Sequence, residues 1–315
     1  MAWAKIFLVG AFLAAAGCQS AGRTSEDLSA RTIRVVATTS MVADLVANVG
    51  GERVAVEGLM GPGVDPHLYK ASEGDVATMA GADVVFYNGL HLEGKMTEIF
   101  EQMAGRQIPT VAVAERAVPD SLRRASETYT GNFDPHIWFD VALWQRAARA
   151  VAEALSELDP ASADRYARNA DDYVRALEQL DAYVREQAAR VPADQRVLVT
   201  SHDAFGYFGQ AYGFEVLGLQ GISTATEAGA ADVRNLAEIV AERRIPAMFV
   251  ESSVSPRGIE AVREAVRARG YDVAIGGTLY GDALGEAGSG AETYLTMVRH
   301  NIDTIARALA PGAGT

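Results

Sequence analysis

The chain has 315 residues, which is more than one ordinary domain needs and comfortable for two. Apolar residues make up 49% of it and charged residues 22%, which is typical of a folded globular protein and excludes a disordered one. The formal net charge of -13 argues against nucleic acid or an anionic membrane surface as a partner, whereas it suits a cation.

The first 17 residues predict a signal peptide. Lys5 precedes an apolar run over residues 6–16, which has the length of a signal sequence's hydrophobic core and is too short to span a bilayer. The run ends just before Cys18, the only cysteine of the chain, so an internal disulfide is impossible. Ala-Ala-Gly-Cys resembles a bacterial lipobox, although an alanine stands where leucine is usual, and this implies lipidation of Cys18. Ordinary signal cleavage nearby is the alternative, and residues 18–31 predict a polar tether in either case.

From residue 32 onward, short β-branched runs alternate with helical stretches. This rhythm predicts an α/β fold with mostly parallel sheets and right-handed crossovers. In the N-terminal half we expect strands at residues 33–38, 54–59, 83–88 and 110–113. The expected helices there are residues 41–49 capped by Ser40, a helix capped by Ser72 and Asp75, and residues 94–103 and 139–158.

Residues 162–190 predict one long helix after the interruption at Pro160. Its apolar side chains recur at spacings of four and three and form one stripe: Tyr166, Ala170, Tyr173, Leu177, Leu180 and Val184. At about 1.5 Å per residue such a helix is roughly 40 Å long, which exceeds the need of one domain. We therefore predict that residues 159–191 form a spine that joins two lobes, residues 32–158 and 192–315. A long surface helix of a single domain is the alternative.

The strand and helix alternation restarts after Pro192. Strands are expected at residues 196–201, 214–219, 247–251 and 272–275, and helices at residues 231–243, 256–269 and 292–309. The fold class is therefore predicted as α/β, with two lobes that each carry a mostly parallel sheet flanked by helices. The predicted signal peptide directs the chain across the membrane, and no later apolar stretch is long enough to span it. We therefore expect the mature protein to be extracytoplasmic.

Four scattered side chains point to one metal site. His67 and His136 each follow Asp-Pro in loops that proline stiffens, His202 ends a strand, and Asp282 follows the last strand. In open parallel sheets, ligands bind beyond the carboxyl ends of the strands, so a cleft between the lobes could unite these positions. Taken alone, each residue also has an interpretation without a metal, because a histidine at a strand end is more often simply hydrogen-bonded or exposed.

The residue types define the ion that would fit. Neutral imidazole suits zinc, copper, iron and nickel, and a carboxylate widens the range towards manganese. Four protein ligands would fill a tetrahedral zinc shell. Two other histidines, His91 and His300, are not assigned to the metal. Glu251 and Asp140 are candidates for orienting the imidazoles, although structural salt bridges would explain them equally well.

Four separated segments resemble, in the same order, the zinc/manganese-type solute receptors of ABC importers. The segments are Gly-Pro-Gly-Val-Asp-Pro-His67-Leu-Tyr, Asp-Pro-His136-Ile-Trp-Phe-Asp, Thr-Ser-His202-Asp-Ala-Phe-Gly-Tyr-Phe and Leu-Tyr-Gly-Asp282-Ala-Leu-Gly. The resemblance runs from about Thr32 to Leu309. It implies two α/β lobes joined by one long helix, with the metal in the cleft.

The resemblance also implies a function and a ligand set. His67, His136, His202 and Asp282 would hold one divalent ion as cargo, zinc or manganese, with iron(II) a weaker candidate. The protein would be a monomeric receptor and not an enzyme, located in the periplasm or on the outer face of the cell membrane. It would touch the membrane through a lipid on Cys18. Its partner would be a permease driven by a cytoplasmic ATPase.

Two departures from the family pattern place the chain in a zinc-or-manganese branch. His202 stands where some receptors carry a glutamate that is associated with manganese and iron. Asp282 is a carboxylate that strictly zinc-specific members commonly lack. The histidine-rich loop of many zinc receptors is also missing, because residues 119–133 contain no histidine.

Two other functions stay open at this point. One is a metal-dependent hydrolase, against which the chain has neither a His-Glu-x-x-His motif nor a nucleophile elbow, and four ligands leave little room for water. An open coordination position beside a poised glutamate would revive it. The other is a surface adhesin lipoprotein with a structural metal, which can coexist with metal capture.

Overall fold

The computed structural model describes residues 28–125 and 133–310. The predicted signal peptide, Cys18 and most of the polar tether therefore lie outside the described residues, as does part of the segment 119–133. Within the described ranges, no helix combines the length and apolar character that a membrane span requires.

The N-terminal lobe is built on a four-stranded parallel sheet with the strand order β2-β1-β3-β4. Its strands are β1 Ile33–Ala37, β2 Val54–Gly58, β3 Val84–Tyr87 and β4 Thr110–Ala112. The helices of this half are α1 Ser40–Gly50, α2 Glu73–Gly81, α3 Thr97–Gly105, α4 Val113–Ala117 and α5 Val141–Leu158. The predicted parallel sheet is confirmed. Only the short helix α4 was not foreseen, since five residues are too few to show a helical period.

The two predicted helix caps have different outcomes. Ser72 and Asp75 form the expected capping box of α2, in which each side chain accepts a hydrogen bond from the other residue's backbone N–H. The Ser40 cap is wrong by one residue, because Thr39 Oγ1 accepts from Val42 N and caps α1. Ser40 Oγ instead accepts from Leu284 N at 2.8 Å, which ties α1 to the loop after the last strand.

The spine is helix α6, Ala163–Ala189, with 27 residues. All six members of the predicted apolar stripe are buried. Helix α6 packs against α1 and α5 from the N-terminal half and against α10 (Tyr294–Leu309) and the short helix α7 (Gly206–Tyr212) from the C-terminal half. The predicted long helix that lies against both lobes is confirmed.

The C-terminal lobe contains two parallel strand pairs that lie side by side, with β5 next to β7. The pairs are β5 Val197–His202 with β6 Glu215–Gln220, and β7 Ala247–Glu251 with β8 Ala274–Leu279. Helices α8, Ala230–Arg243, and α9, Arg257–Arg267, cover one face. Strand β8 lies further along than predicted, since two glycines at its centre hide the strand pattern.

The largest apolar cluster is shared by the two lobes, and each lobe has a smaller cluster of its own. A single cluster of buried side chains extends from Ile33 in β1 through Trp144 in α5 and Leu180 in α6 to Leu309 in α10. The rings of Trp144 and Tyr294 stack with centroids 5.1 Å apart. This shared cluster holds the two lobes together around α6.

Candidate metal centre

His67 lies in the loop after β2, and Asp65 shapes that loop. Asp65 Oδ1 accepts a hydrogen bond from His67 N at 2.9 Å, which closes a local turn around the intervening proline. Asp65 Oδ2 accepts from Thr224 Oγ1 of the other lobe at 2.6 Å. The imidazole is therefore held on a stiff loop that is also anchored across the cleft.

His136 repeats this geometry with a second contact. Asp134 Oδ1 accepts from His136 N at 3.0 Å and lies 2.7 Å from His136 Nδ1. One carboxylate oxygen thus fixes both the backbone and the ring, and Nε2 is left to face the cleft. This role of the aspartate was missed in the sequence. The signal was present in the repeated Asp-Pro-His motif, whose stiffness had been attributed to the proline alone.

His202 is the last residue of β5 and is supported by Glu251 at the end of β7. His202 N donates to Glu251 Oε1 at 2.9 Å. His202 Nδ1 lies 2.8 Å from Glu251 Oε2, close enough for an ion pair but not aligned as a hydrogen bond. The expected contact between Glu251 and an imidazole is present. The same expectation for Asp140 is wrong, because its side chain caps α5 by accepting from Ala142 N and Leu143 N.

Asp282 lies in the loop after β8, and contacts at Gly281, the residue before it, hold this loop in place. Trp138 Nε1 donates to Gly281 O at 3.0 Å, and the Trp138 ring lies edge-on to His136. A Cβ atom at position 281 would overlap the Glu251 carboxylate, so only glycine permits this approach. These contacts place the Asp282 carboxylate next to the Nε2 atoms of the three imidazoles.

The four predicted ligands converge, and their donor atoms all lie within 4.8 Å of one another. His67 Nε2 is 3.3 Å from His136 Nε2. The Asp282 oxygens are 3.4 Å from His136 Nε2, 3.3 Å from His202 Nε2 and 4.0 Å from His67 Nε2. Tetrahedral ligands at zinc–ligand distances of about 2.0–2.1 Å would be about 3.3–3.4 Å apart. Within the described ranges, no other group of three or more such side chains could hold a metal ion.

The burial of this group fits a cation. His136 and His202 are 0% exposed and Asp282 is 1% exposed. Neither oxygen of Asp282 receives a hydrogen bond of good geometry, and His202 Nε2 has none. Burying a carboxylate in this way is costly unless a charge compensates it, and a divalent ion would satisfy all these atoms at once.

The remaining histidines are elsewhere. His91 is exposed and lies in a turn with φ of 63°, away from the four ligands. His300 on α10 has its Nε2 3.1 Å from Thr278 O and its ring against Tyr280. Neither imidazole belongs to the group of four converging side chains.

Two imidazoles of the group have opposite pKa shifts. Burial, the largest influence, lowers the pKa of His67 to about 3, although the Asp282 carboxylate acts in the other direction. Burial would also lower the pKa of His136, but Asp134 and Asp282 outweigh it and raise that pKa to about 9. His67 is therefore neutral at neutral pH, whereas His136 carries a proton.

His202 and Asp282 form the other charged pair. Burial opposes the charged form of His202, but Glu251 and Asp282 raise its pKa well above the usual value. Burial would raise the pKa of Asp282, but His202 and His136 hold it well below the usual range. Without a metal ion, the protons on His136 and His202 balance the negative charge of the Asp282 carboxylate. A metal ion bound at this site would supply that positive charge instead.

We expect zinc binding at neutral pH to release protons, because imidazole ligates a metal only in its neutral form. Since the pKa of His136 is raised to about 9, zinc affinity should rise as the pH is increased towards that value and fall as it is lowered. Calorimetry in two buffers with different ionisation enthalpies measures the released protons. Equal binding heats in both buffers would contradict this expectation.

Comparison with known proteins places the chain in a family. Residues 35–308 match the family model described as zinc-uptake complex component A, periplasmic. The zinc-binding protein TroA of Treponema pallidum is 52% identical over 276 residues, which cover 88% of each chain. The manganese-binding lipoprotein MntA of Bacillus subtilis is 48% identical over 297 residues, which cover 94% of this chain and 95% of the relative.

The fold comparison agrees with the sequence comparison. The solved structure of the periplasmic zinc-binding protein TroA from Treponema pallidum superposes with a TM-score of 0.85, covering 89% of this chain and 99% of that one. The match includes both lobes and the spine, in agreement with the resemblance drawn from the four sequence segments. The chain therefore belongs to the zinc-uptake complex component A family of periplasmic proteins.

Proposed function

We propose that the protein is an extracytoplasmic receptor that captures one divalent transition-metal ion, zinc or manganese, and delivers it to an ABC importer. His67, His136, His202 and Asp282 would hold the ion as cargo. The observation that carries the proposal is the convergence of their donor atoms, all buried and within 4.8 Å of one another, from both lobes. The zinc-binding and manganese-binding names of the relatives support the same pair of metals.

The donor set favours capture over catalysis. A hydrolytic zinc site keeps one position open for water, with a carboxylate free to act as a base. Here four protein ligands can complete a tetrahedral shell. The nearest glutamate, Glu251, already accepts from His202 N and lies against His202 Nδ1. The arrangement therefore supports reversible binding of an ion as cargo.

Zinc should bind more tightly than manganese to the metal-free protein. For sites of nitrogen and oxygen ligands, affinity rises along the first-row series from manganese to copper, and zinc stays above manganese. Titration calorimetry on stripped protein measures both affinities. A tighter manganese complex would overturn the expected order, and tight zinc binding would still leave the transported metal to be determined.

Transport is tested in two steps. Elemental analysis of protein purified from its natural host without added metal identifies the ion that the site holds. Growth of a deletion strain under zinc limitation and under manganese limitation then identifies the metal whose import depends on the protein. Normal growth of that strain under both conditions, with a purified protein free of both metals, would refute the receptor function.

We also propose that the receptor works as a monomer. We further propose that Cys18 carries a lipid and that residues 18–31 tether the lobes to the membrane. The apolar run that ends in Ala-Ala-Gly-Cys supports this placement. We expect radioactive palmitate to label the wild-type protein in its bacterial host and not the Cys18→Ser variant. Equal labelling of both proteins, or no labelling of either, would refute the lipid anchor.

A further inference from the structure

Arg124 lies at the junction of the two lobes, between the carboxylate that orients His136 and the residue that follows His202. Its Nη1 atom is 2.6 Å from Asp134 Oδ2, and its Nη2 atom is 3.3 Å from Asp203 Oδ2. Asp134 is the carboxylate that orients His136, and Asp203 directly follows His202 in the chain. One guanidinium thus connects the carboxylate that orients His136 with the C-terminal segment that begins at His202.

The backbone around Arg124 is built to hold it there. Arg124 N donates to Tyr207 Oη at 2.8 Å, and Asp134 N donates to Arg124 O at 2.8 Å. Tyr207 Oη in turn donates to Asp134 O at 3.2 Å. Gly206 packs against the guanidinium so closely that a Cβ atom at this position would overlap it.

The charges explain why an arginine is suited to this place. The Asp134 side chain is 0% exposed, and its Oδ1 is fully engaged with His136, so its other oxygen needs a cationic donor. The Arg124 side chain is 32% exposed, so it neutralises Asp134 without being fully desolvated itself. A planar guanidinium presents several N–H groups in a rigid fork and can serve two carboxylates, whereas an ammonium acts as a point charge.

We propose that Arg124 is a positioning residue that fixes the orientation of His136 and slows the escape of the bound metal by linking the lobes. The inference rests on the proposed metal-binding function. Its contact with Asp134 keeps the carboxylate in place against the imidazole. Its contact with Asp203 must break before the His136 and His202 sides of the cleft can separate.

The two contacts make different contributions and can be separated by mutation. Asp203→Asn weakens the link between lobes while the pair of Arg124 with Asp134 stays intact. Arg124→Lys keeps a cation beside Asp134 but cannot serve both carboxylates equally well. Arg124→Gln removes the positive charge from both. Arg123→Gln is the matched control, since Arg123 pairs with Asp120 and donates to Val118 O and Glu115 O in the same segment.

Two readouts distinguish positioning from general stability. The first is the rate at which zinc-loaded protein gives up its metal to a chromophoric chelator in excess. The second is the visible absorption spectrum of the cobalt(II)-loaded protein, which responds to ligand geometry. Loss of groups that orient metal ligands typically weakens binding about 10- to 100-fold, so we expect zinc release from Arg124→Gln to be accelerated by about that factor. Its cobalt spectrum should also change.

The other variants give graded results. Asp203→Asn and Arg124→Lys should release zinc faster than the wild-type protein but more slowly than Arg124→Gln, with a cobalt spectrum close to the wild type. Arg123→Gln should match the wild type in both readouts. Wild-type release and spectrum in Arg124→Gln would overturn the inference.

If Arg124→Gln fails to fold, the Asp203→Asn variant still tests the inference. A wild-type rate of zinc release from Asp203→Asn would overturn the proposed link between the lobes. A wild-type protein that binds no zinc would instead refute the proposed function itself.

Discussion

Replacing His202 with alanine is expected to remove most of the zinc affinity while leaving the fold intact. The variant loses one of four donors and leaves Glu251 without the imidazole that it supports. A loss of at least about 100-fold is expected, because even changes behind the ligands cost about 10- to 100-fold. That factor corresponds to about 2.7 kcal/mol of binding free energy.

Thermal unfolding with and without zinc measures this effect. A ligand at 1,000 times its dissociation constant stabilises the folded state by about 4.1 kcal/mol, so a 100-fold loss of affinity removes most of the zinc-induced rise in melting temperature. His67→Ala should behave alike, because it removes another of the four donors. His300→Ala is the control, since His300 contacts Thr278 O and Tyr280 outside the site. Full zinc stabilisation of both His202→Ala and His67→Ala would refute the ligand assignment.

Truncating Leu180 to alanine should destabilise the whole protein by about 2–5 kcal/mol, the usual cost of deleting a fully buried leucine side chain. Leu180 is 0% exposed and belongs to the apolar cluster that both lobes share around α6. Because that cluster is continuous, urea unfolding should remain a single transition that shifts as a whole.

Glu178→Ala provides the matched control on the same helix. Glu178 is exposed and lies two residues before Leu180, and alanine is a good helix former, so the change should stay within about 0.5 kcal/mol. Two separate unfolding transitions, of which Leu180→Ala shifts only one, would show that the lobes do not share a core. A change below about 1 kcal/mol for Leu180→Ala would contradict the burial of the stripe.

Periodic patterns made much of this architecture predictable. The stripe of α6 repeats over about five turns, and strands β1 and β3 are short, rich in β-branched residues and mostly buried, so local sequence carries both signals. Pairing between strands depends on distant residues. The sequence therefore did not reveal that β5–β6 and β7–β8 form two separate ladders. Helix α7 was also missed, since its seven residues mix glycines with aromatic side chains.

The candidate site shows the same limit. The four donors could be named because His67 and His136 share a local motif, because His202 and Asp282 stand at strand ends, and because all four lie in segments that resemble one family. The structure brings them together. Their role as ligands stays a prediction until a metal is observed. Asp134 and Arg124 were not foreseen, because a support of this kind is defined by side-chain geometry. Glu251 was named as a candidate for orienting an imidazole, and the structure shows the reason, since it ends β7 beside β5, which carries His202.

The decisive measurement is anomalous X-ray diffraction at the zinc absorption edge from crystals of the zinc-loaded protein. One strong peak should lie between the lobes, at about 2.0–2.1 Å from a nitrogen of each of His67, His136 and His202 and at about 2.0–2.2 Å from an Asp282 oxygen. A peak bound by other residues, or one that touches the ligands of only one lobe, would contradict the account.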